Sequence, residues 1–237
     1  MMEGLVAHLL ASIARCERAP APRGAPAVFV IDGFLPIEWL ELALPLLGDP
    51  ARWREAWWAR GGLAARTTRE AWEALAPERR LSHHQVLLAP PRGVFDRLQA
   101  AQALLMSALG KPEVLAALAA ATSAPLADTR PISTFISMRI GDFQGFHSDR
   151  SVGRRLCSAL YLSDGWRPGF GGEFEMAVDG EAVFTAAPLA NRIVIFDPHE
   201  QRSPPLRGSA RHRIRPVEPV AGDWRRISLS AWWTAPT

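Results

Sequence analysis

The spacing of apolar and polar positions changes character near Ser123. Before it, apolar residues recur mainly at helical intervals. Leu5–Ile13 is an apolar run interrupted by His8 and preceded by Glu3, which predicts an amphipathic helix. Ala19–Pro26 (APAPRGAP) follows as a Pro-rich linker, and Ala27–Asp32 (AVFVID) reads as a strand. Trp39, Leu40, Ala43, Leu44 and Leu47 predict a helix over Pro36–Leu47. Val94–Leu109 and Pro112–Ala121 read as a pair of apolar-faced helices. The stretch Trp53–Glu78 is rich in Trp, Arg and Ala; its Trp53, Trp57, Trp58 and Trp72 are read as core, with the lining of a substrate entrance as the alternative.

After Ser123, short strand-like runs alternate with Gly, Pro, Asp and Asn. They are Ile132–Met138, Gly145–Ser148, Leu156–Leu162, Gly172–Met176, Glu181–Thr185, Arg192–Phe196, His212–Val217 and Arg226–Trp233. Strands this short and this evenly spaced predict a sandwich or barrel of the jelly-roll kind. The expected fold class is α+β: a double-stranded β-helix (a jelly-roll, cupin-like barrel) over about 123–233, packed against a helical N-terminal half. Residues 1–237 are read as one domain, with 1–25 as an N-terminal helix and linker.

Composition agrees with that layout. A chain of 237 residues that is 48% apolar can bury one sizeable core. No repeat with a period of 20–50 residues is present. The formal charge is +3 and the pI about 9.5, but the basic residues are scattered and all except Lys111 are arginine, a compositional bias that argues against nucleic acid as partner. The one basic cluster is Arg150, Arg154 and Arg155, read either as a solvated loop or as a pocket mouth that attracts an anion. Cys16 and Cys157 are too few and too far apart for a disulfide framework or a zinc site, which points to a reducing cytoplasm. The first apolar run lacks a basic leader and is too short to span a membrane. Oligomeric state stays open.

The candidate chemistry begins at Phe146-His147-Ser148-Asp149. On an extended strand, positions i and i+2 face the same side, so His147 and Asp149 converge. A second histidine from another strand would complete a 2-His-1-carboxylate set, which leaves open positions on an octahedral iron(II). An isolated His-x-Asp is a weak signal. The C-terminal segment strengthens it. His212-Arg-Ile-Arg-Pro-Val217 leads to a turn at Gly222-Asp223 and then to Arg226–Trp233. Alternation there puts Arg226, Ser228, Ser230 and Trp232 on one face and Ile227, Leu229, Ala231 and Trp233 on the other. The first face suits a pocket and the second suits packing on helices. A guanidinium inside a barrel is costly without an anion, and a carboxylate is its natural bidentate partner. Ser228 could add a hydrogen bond to that anion.

The other histidines receive blander readings. His199, in Phe196-Asp-Pro-His199, is the rival to His212; His212 is preferred because Pro216-Val217 and the Arg226 strand follow it. His83 and His84 are read as surface or loop residues, His8 as lying on a helix face, and Tyr161 as core. Pro168–Gly172 (PGFGG) is a turn rather than a phosphate loop, because neither a helix nor a lysine follows.

The motifs in order resemble the prolyl-4-hydroxylase-like branch of the iron(II)/2-oxoglutarate-dependent dioxygenases. Val30–Pro36 (VIDGFLP) resembles the opening strand and helix start of that family, and Gly141–Asp149 (GDFQGFHSD) its "GDF…HxD" segment. Ala159–Ser163 with Trp166 resembles "YLN…W", Gly171–Phe174 resembles "GGEL", and Asn191–Phe196 the strand before the distal histidine. His212–Val217 resembles "HxVxPV", and Arg226, Ser228 and Trp232 the 2-oxoglutarate strand. The likeness spans about 28–233 and is weakest over 50–130.

The resemblance implies that His147, Asp149 and His212 ligate Fe(II), and that Arg226, assisted by Ser228, binds the distal carboxylate of 2-oxoglutarate. Where the family often has a co-substrate-binding tyrosine, this chain has Arg139, which is expected to serve the co-substrate or the substrate. The implied reaction consumes O2 and 2-oxoglutarate, releases succinate and CO2, and hydroxylates a proline-like or other amino acid, free or within a peptide, with ascorbate as a candidate reductant. Asp149, where related halogenases carry a small residue, favours hydroxylation. A small natural-product intermediate, an anionic small molecule among the candidates, is the alternative substrate. A non-catalytic metal-binding β-barrel module and a metal-dependent hydrolase are the alternatives of other classes.

Overall fold

The computed structural model describes residues 2–20, 26–60, 65–88, 96–198 and 211–236. In chain order the elements are α1 (Met2–Ile13), β1 (Glu17–Arg18), β2 (Val28–Asp32), α2 (Ile37–Leu47), β3 (Trp53–Ala59), β4 (Ala65–Thr67), α3 (Arg69–Glu73), β5 (Arg80–Leu87), α4 (Arg97–Leu109) and α5 (Pro112–Thr122). Then come β6 (Arg130–Met138), β7 (Phe143–His147), β8 (Arg154–Tyr161), β9 (Phe174–Val178), β10 (Glu181–Ala186), β11 (Arg192–Phe196), β12 (Arg211–Ile214) and β13 (Arg226–Thr234). All strand pairs are antiparallel. They run β1-β2-β11-β8-β13-β6-β5-β7-β12-β9-β10, with β3 paired to β5 and β4 to β3. This is the curled sheet of a double-stranded β-helix, as the strand spacing implied. Among the described residues no single helix is long and apolar enough to cross a membrane.

Two apolar clusters lie on opposite faces of the sheet. One joins α1, α2, α4 and α5 to the outer face and contains Leu229, Ala231 and Trp233; Trp233 is fully buried. The other fills the barrel and contains Val28, Met138, Tyr161, Phe174, Val194 and Phe196, with Trp232 packed against it. The alternation read along β13 therefore holds. Its apolar face is a helix-packing surface and its polar face points inward, because strand side chains alternate with period two.

The N-terminal half is not simply helical. β2 pairs with β11, and β5 pairs with both β6 and β7, so strands from before residue 90 are built into the sheet expected to begin near residue 123. Helical periodicity dominates that half because its helices are long, whereas β3 and β5 carry no clean alternation. Their stability comes from non-local partners, which a window of sequence does not contain. Of the four tryptophans there, only Trp53 joins the core. Trp57 stacks on His83 at 5.2 Å, and Trp72 tilts against His83 and Phe143 at 5.8 and 6.2 Å. Neither Trp57 nor Trp72 lines the central cavity.

Candidate metal and anion site

β7 and β12 are neighbours, and their register sets His147 directly opposite His212. The two rings lie 4.1 Å apart. Asp149 follows β7 by two residues, so its carboxylate returns to the same side. Its Oδ1 lies 3.7 Å from His147 Nε2, and its Oδ2 lies 3.8 Å from His212 Nε2. One ligand atom from each of the three residues falls within 4.8 Å of the others, a grouping that could hold a metal ion. Two imidazoles and one carboxylate on one side of an ion are the donor set that suits iron(II) with open positions.

Surrounding contacts aim these donors. His147 Nδ1 is 2.9 Å from the Gly145 carbonyl; as the N–H it donates there, which turns the Nε2 lone pair toward Asp149. His212 is wedged between Phe174 and Phe196, with ring centroids at 5.5 and 4.7 Å. Burial, reinforced by the nearby His147, pushes the His212 pKa down to about 3, so its imidazole is neutral at physiological pH. Trp232 donates its indole N–H to Asp149 Oδ2 at 3.0 Å. Arg154 donates to the Asp149 backbone carbonyl at 2.7 Å and stacks over the Trp232 ring at 5.1 Å. Burial alone would raise the Asp149 carboxyl pKa. The His212 and His147 imidazoles, the Trp232 N–H and Arg154 outweigh it and hold the carboxyl below its usual range.

The three candidate ligands open onto a small cleft of about 50 Å³. Its walls include Ile136, Met138, Gln144, Ser230 and Trp232, and also Arg226. Arg226 is only 2% exposed. Nε donates to the Gly172 carbonyl at 2.7 Å and Nη1 to Ser228 Oγ at 3.0 Å, while the guanidinium lies 5.0 Å over the Tyr161 ring. Burial lowers its pKa, and Tyr161 works in the opposite direction. Among the described residues no carboxylate forms an ion pair with Arg226. A buried guanidinium without an internal anion fits an anion supplied from outside.

Local sequence explains how Arg226 is held. Gly171 and Gly172 both adopt left-handed backbone, at φ +74° and +76°. A Cβ on Gly171 would meet the Pro216 carbonyl oxygen at 1.9 Å, and one on Gly172 would meet Arg226 Cδ at 3.0 Å. The Gly-Gly turn therefore lets the backbone approach close enough for the Gly172 carbonyl to accept from Arg226. Trp166 donates to the Gly171 carbonyl at 3.0 Å and braces the same turn.

The structure brings His147, Asp149, His212 and Arg226 to one cavity, as the sequence reading placed them. Ser228, on the same inward face, is fully buried, is not a lining residue, and accepts from Arg226, so it orients the guanidinium. Arg139 is not brought to the site. It is turned outward, 2.5 Å from Glu55 and 3.9 Å from Asp142. Arg154 braces Asp149 rather than standing free at a pocket mouth, while Arg150 is exposed. His199 lies outside the described residues.

One reading is corrected and one is extended. His83 and His84 belong to strand β5, not to a surface loop. His83 pairs with Asp142 at 3.0 Å, and His84 is 5% exposed. Tyr161 is core, as read, but it also faces Arg226. Ala159, two residues earlier on the same strand, lines the cavity.

Comparison with known proteins agrees with this geometry. Residues 134–234 match the model of the 2OG-Fe(II) oxygenase superfamily. No curated protein matches in sequence. Among solved structures, a prolyl-4-hydroxylase from Pseudomonas putida is 20% identical with a TM-score of 0.56, over 98% of this chain and 100% of that one. A prolyl hydroxylase from Trichoplax adhaerens, solved with a hypoxia inducible factor peptide fragment, is 15% identical with a TM-score of 0.54, over 98% and 90%. A 2OG-Fe(II) oxygenase-family oxidoreductase from Burkholderia pseudomallei is 14% identical with a TM-score of 0.52, over 98% and 92%. At these identities the structures share the fold.

Proposed function

We propose that this chain, whose residues 134–234 match the 2OG-Fe(II) oxygenase superfamily, is such an oxygenase and hydroxylates an amino acid, proline-like or other, free or within a peptide. The observation that carries the reading is the shared cavity. A 2-His-1-carboxylate set and a buried arginine without an internal anion line the same cleft. A module that held metal for structure alone would have no use for the second feature. The prolyl hydroxylases of the same fold support an aminoacyl substrate.

In this account His147, Asp149 and His212 hold Fe(II), and Arg226 holds the far carboxylate of 2-oxoglutarate with the Tyr161 hydroxyl close by. The bound ion and co-substrate supply the oxidising power, with O2 as oxidant and succinate and CO2 as products. The protein's residues position and shield. Trp232 and Arg154 fix the carboxylate ligand, and Ser228 and the Gly172 carbonyl fix the guanidinium. Ile136, Met138, Phe174 and Phe196 keep the cavity wall apolar, which strengthens charge interactions inside it.

Succinate release tests the reading. Purified protein should form succinate from 2-oxoglutarate only with Fe(II) and O2 present, and faster with a peptidyl or free proline substrate. Succinate formation that ignores iron, or activity with zinc and no O2, would point to another chemistry.

A further inference from the structure

Among the described residues, two buried polar atoms beside the cavity have no hydrogen-bond partner, the Tyr161 hydroxyl next to Arg226 and His84 Nδ1. Register puts Ser82 opposite Gln144 and Val86 opposite Ile136, and both partners line the cavity. Alternation along β5 therefore turns His84, midway between Ser82 and Val86, to the same face. His84 Nδ1 is buried and has no hydrogen-bond partner among the described residues. A buried polar atom left unpaired in this way is rare in folded proteins. The nearby Asp142 carboxylate is already engaged, by His83 Nδ1 at 3.0 Å and by the Arg139 backbone N–H at 2.9 Å.

Burial is the largest cause of a His84 pKa lowered to about 4; Asp142 opposes it, and His83, Arg226 and His147 add to it, so the imidazole is neutral at physiological pH and within electrostatic reach of both ends of the cavity. The adjoining strand β6 offers the cavity only Ile136 and Met138, neither of which donates a hydrogen bond. Arg139, which follows Met138, is turned away to Glu55. Gln144 on β7 lines the cavity and can donate; His84 on β5 is turned to the same side by register, and its buried Nδ1 is left unpaired.

We propose that His84 is a co-substrate-binding residue whose Nδ1–H donates a hydrogen bond to the 2-oxo acid held between the His147/Asp149/His212 end of the cavity and Arg226. The assignment rests on the 2-oxoglutarate reading of the cavity and adds a contact to it. It also explains how the site works with an arginine at position 139. The function expected of that position moves to the neighbouring strand.

The test is binding under anaerobic conditions, with Fe(II) loaded and 2-oxoglutarate as the titrant, followed by the charge-transfer absorbance. H84F should weaken 2-oxoglutarate binding about 10-fold or more, the loss expected for a hydrogen bond to a charged group. Fe(II) affinity measured without 2-oxoglutarate should stay within about 2-fold, and H84N, which keeps a donor, should recover part of the loss. H84A is measured beside H84F in case the larger ring disturbs folding, and the same thresholds apply. Wild-type 2-oxoglutarate affinity in H84F or H84A, alongside a large loss in R226A, would overturn the His84 assignment and leave the cavity reading standing. Wild-type affinity in R226A as well would overturn both.

Discussion

The two ends of the cavity are built on opposite principles. At the metal end, each candidate ligand meets a partner within the protein: His147 the Gly145 carbonyl, Asp149 the Trp232 N–H and Arg154, His212 two phenylalanine rings. At the arginine end, a guanidinium and a phenol ring are sealed in with no counter-charge among the described residues, and His84 keeps an unpaired nitrogen alongside. The first end is organised before anything binds. The second is left incomplete, and ligand binding would complete it. In the proposed function, the difference separates what would hold a metal from what would select a dicarboxylic co-substrate.

The largest expected effect comes from removing the shared ligand. D149A should lower 2-oxoglutarate turnover by about 1,000-fold or more, because the carboxylate sits between both histidines and without it the metal site loses its charge. Fe(II) binding by calorimetry and succinate release check this together. Retained turnover would separate the reaction from the three-residue cluster. W232F should act on the same end more gently. Loss of the N–H to Asp149 is expected to cost about 10- to 100-fold in metal affinity, with 2-oxoglutarate affinity at saturating metal unchanged. An equal loss at both ends would mean that the ends are not independently built.

G172A should do the reverse. The left-handed backbone there disfavours any Cβ by about 1–2 kcal/mol, and the new methyl would press on Arg226 Cδ. A lowered urea midpoint and a weaker 2-oxoglutarate constant, with Fe(II) binding retained, are the expected readouts.

The smallest effect is a pH dependence of stability in the metal-free protein. His84 and His212 have folded-state pKa values lowered to about 4 and about 3, against about 6.5 unfolded. Between those values the unfolded chain binds the extra protons, so stability falls as pH drops below about 6.5 and the loss continues toward pH 4. Urea midpoints from pH 7.5 to 4.5 should decline accordingly, and H84F should flatten the slope. A slope unchanged by H84F would place that imidazole in a more polar setting.

The metal end and Arg226 were legible in the sequence because their signals are local. His147 and Asp149 are two residues apart, and the alternation from Arg226 to Trp233 separates cavity from helix face within eight residues. His84 and Tyr161 were not legible as site residues. Each sits on a strand whose orientation is set by partners at least 50 residues away, β5 by β6 and β7, and β8 by β13. Ser228 was placed on the correct face, and the structure adds that its hydroxyl accepts from Arg226. A two-residue spacing does not distinguish a hydroxyl that meets the ligand from one that supports the arginine. Arg139 was misplaced because a motif position was read as a side-chain direction, and its ion pair with Glu55 depends on β3, which carried no sequence signal.

The most direct test of one cavity with two differently built ends is an anaerobic titration of 2-oxoglutarate into the Fe(II)-loaded protein, comparing wild type with R226A. The wild type should develop a saturable charge-transfer absorbance that requires both iron and 2-oxoglutarate. R226A should bind Fe(II) as wild type but need about 30-fold more 2-oxoglutarate or beyond, the cost of losing one partner of a buried charge pair. An absorbance that saturates at the same 2-oxoglutarate concentration in both proteins, or that never appears in the wild type, would contradict the account.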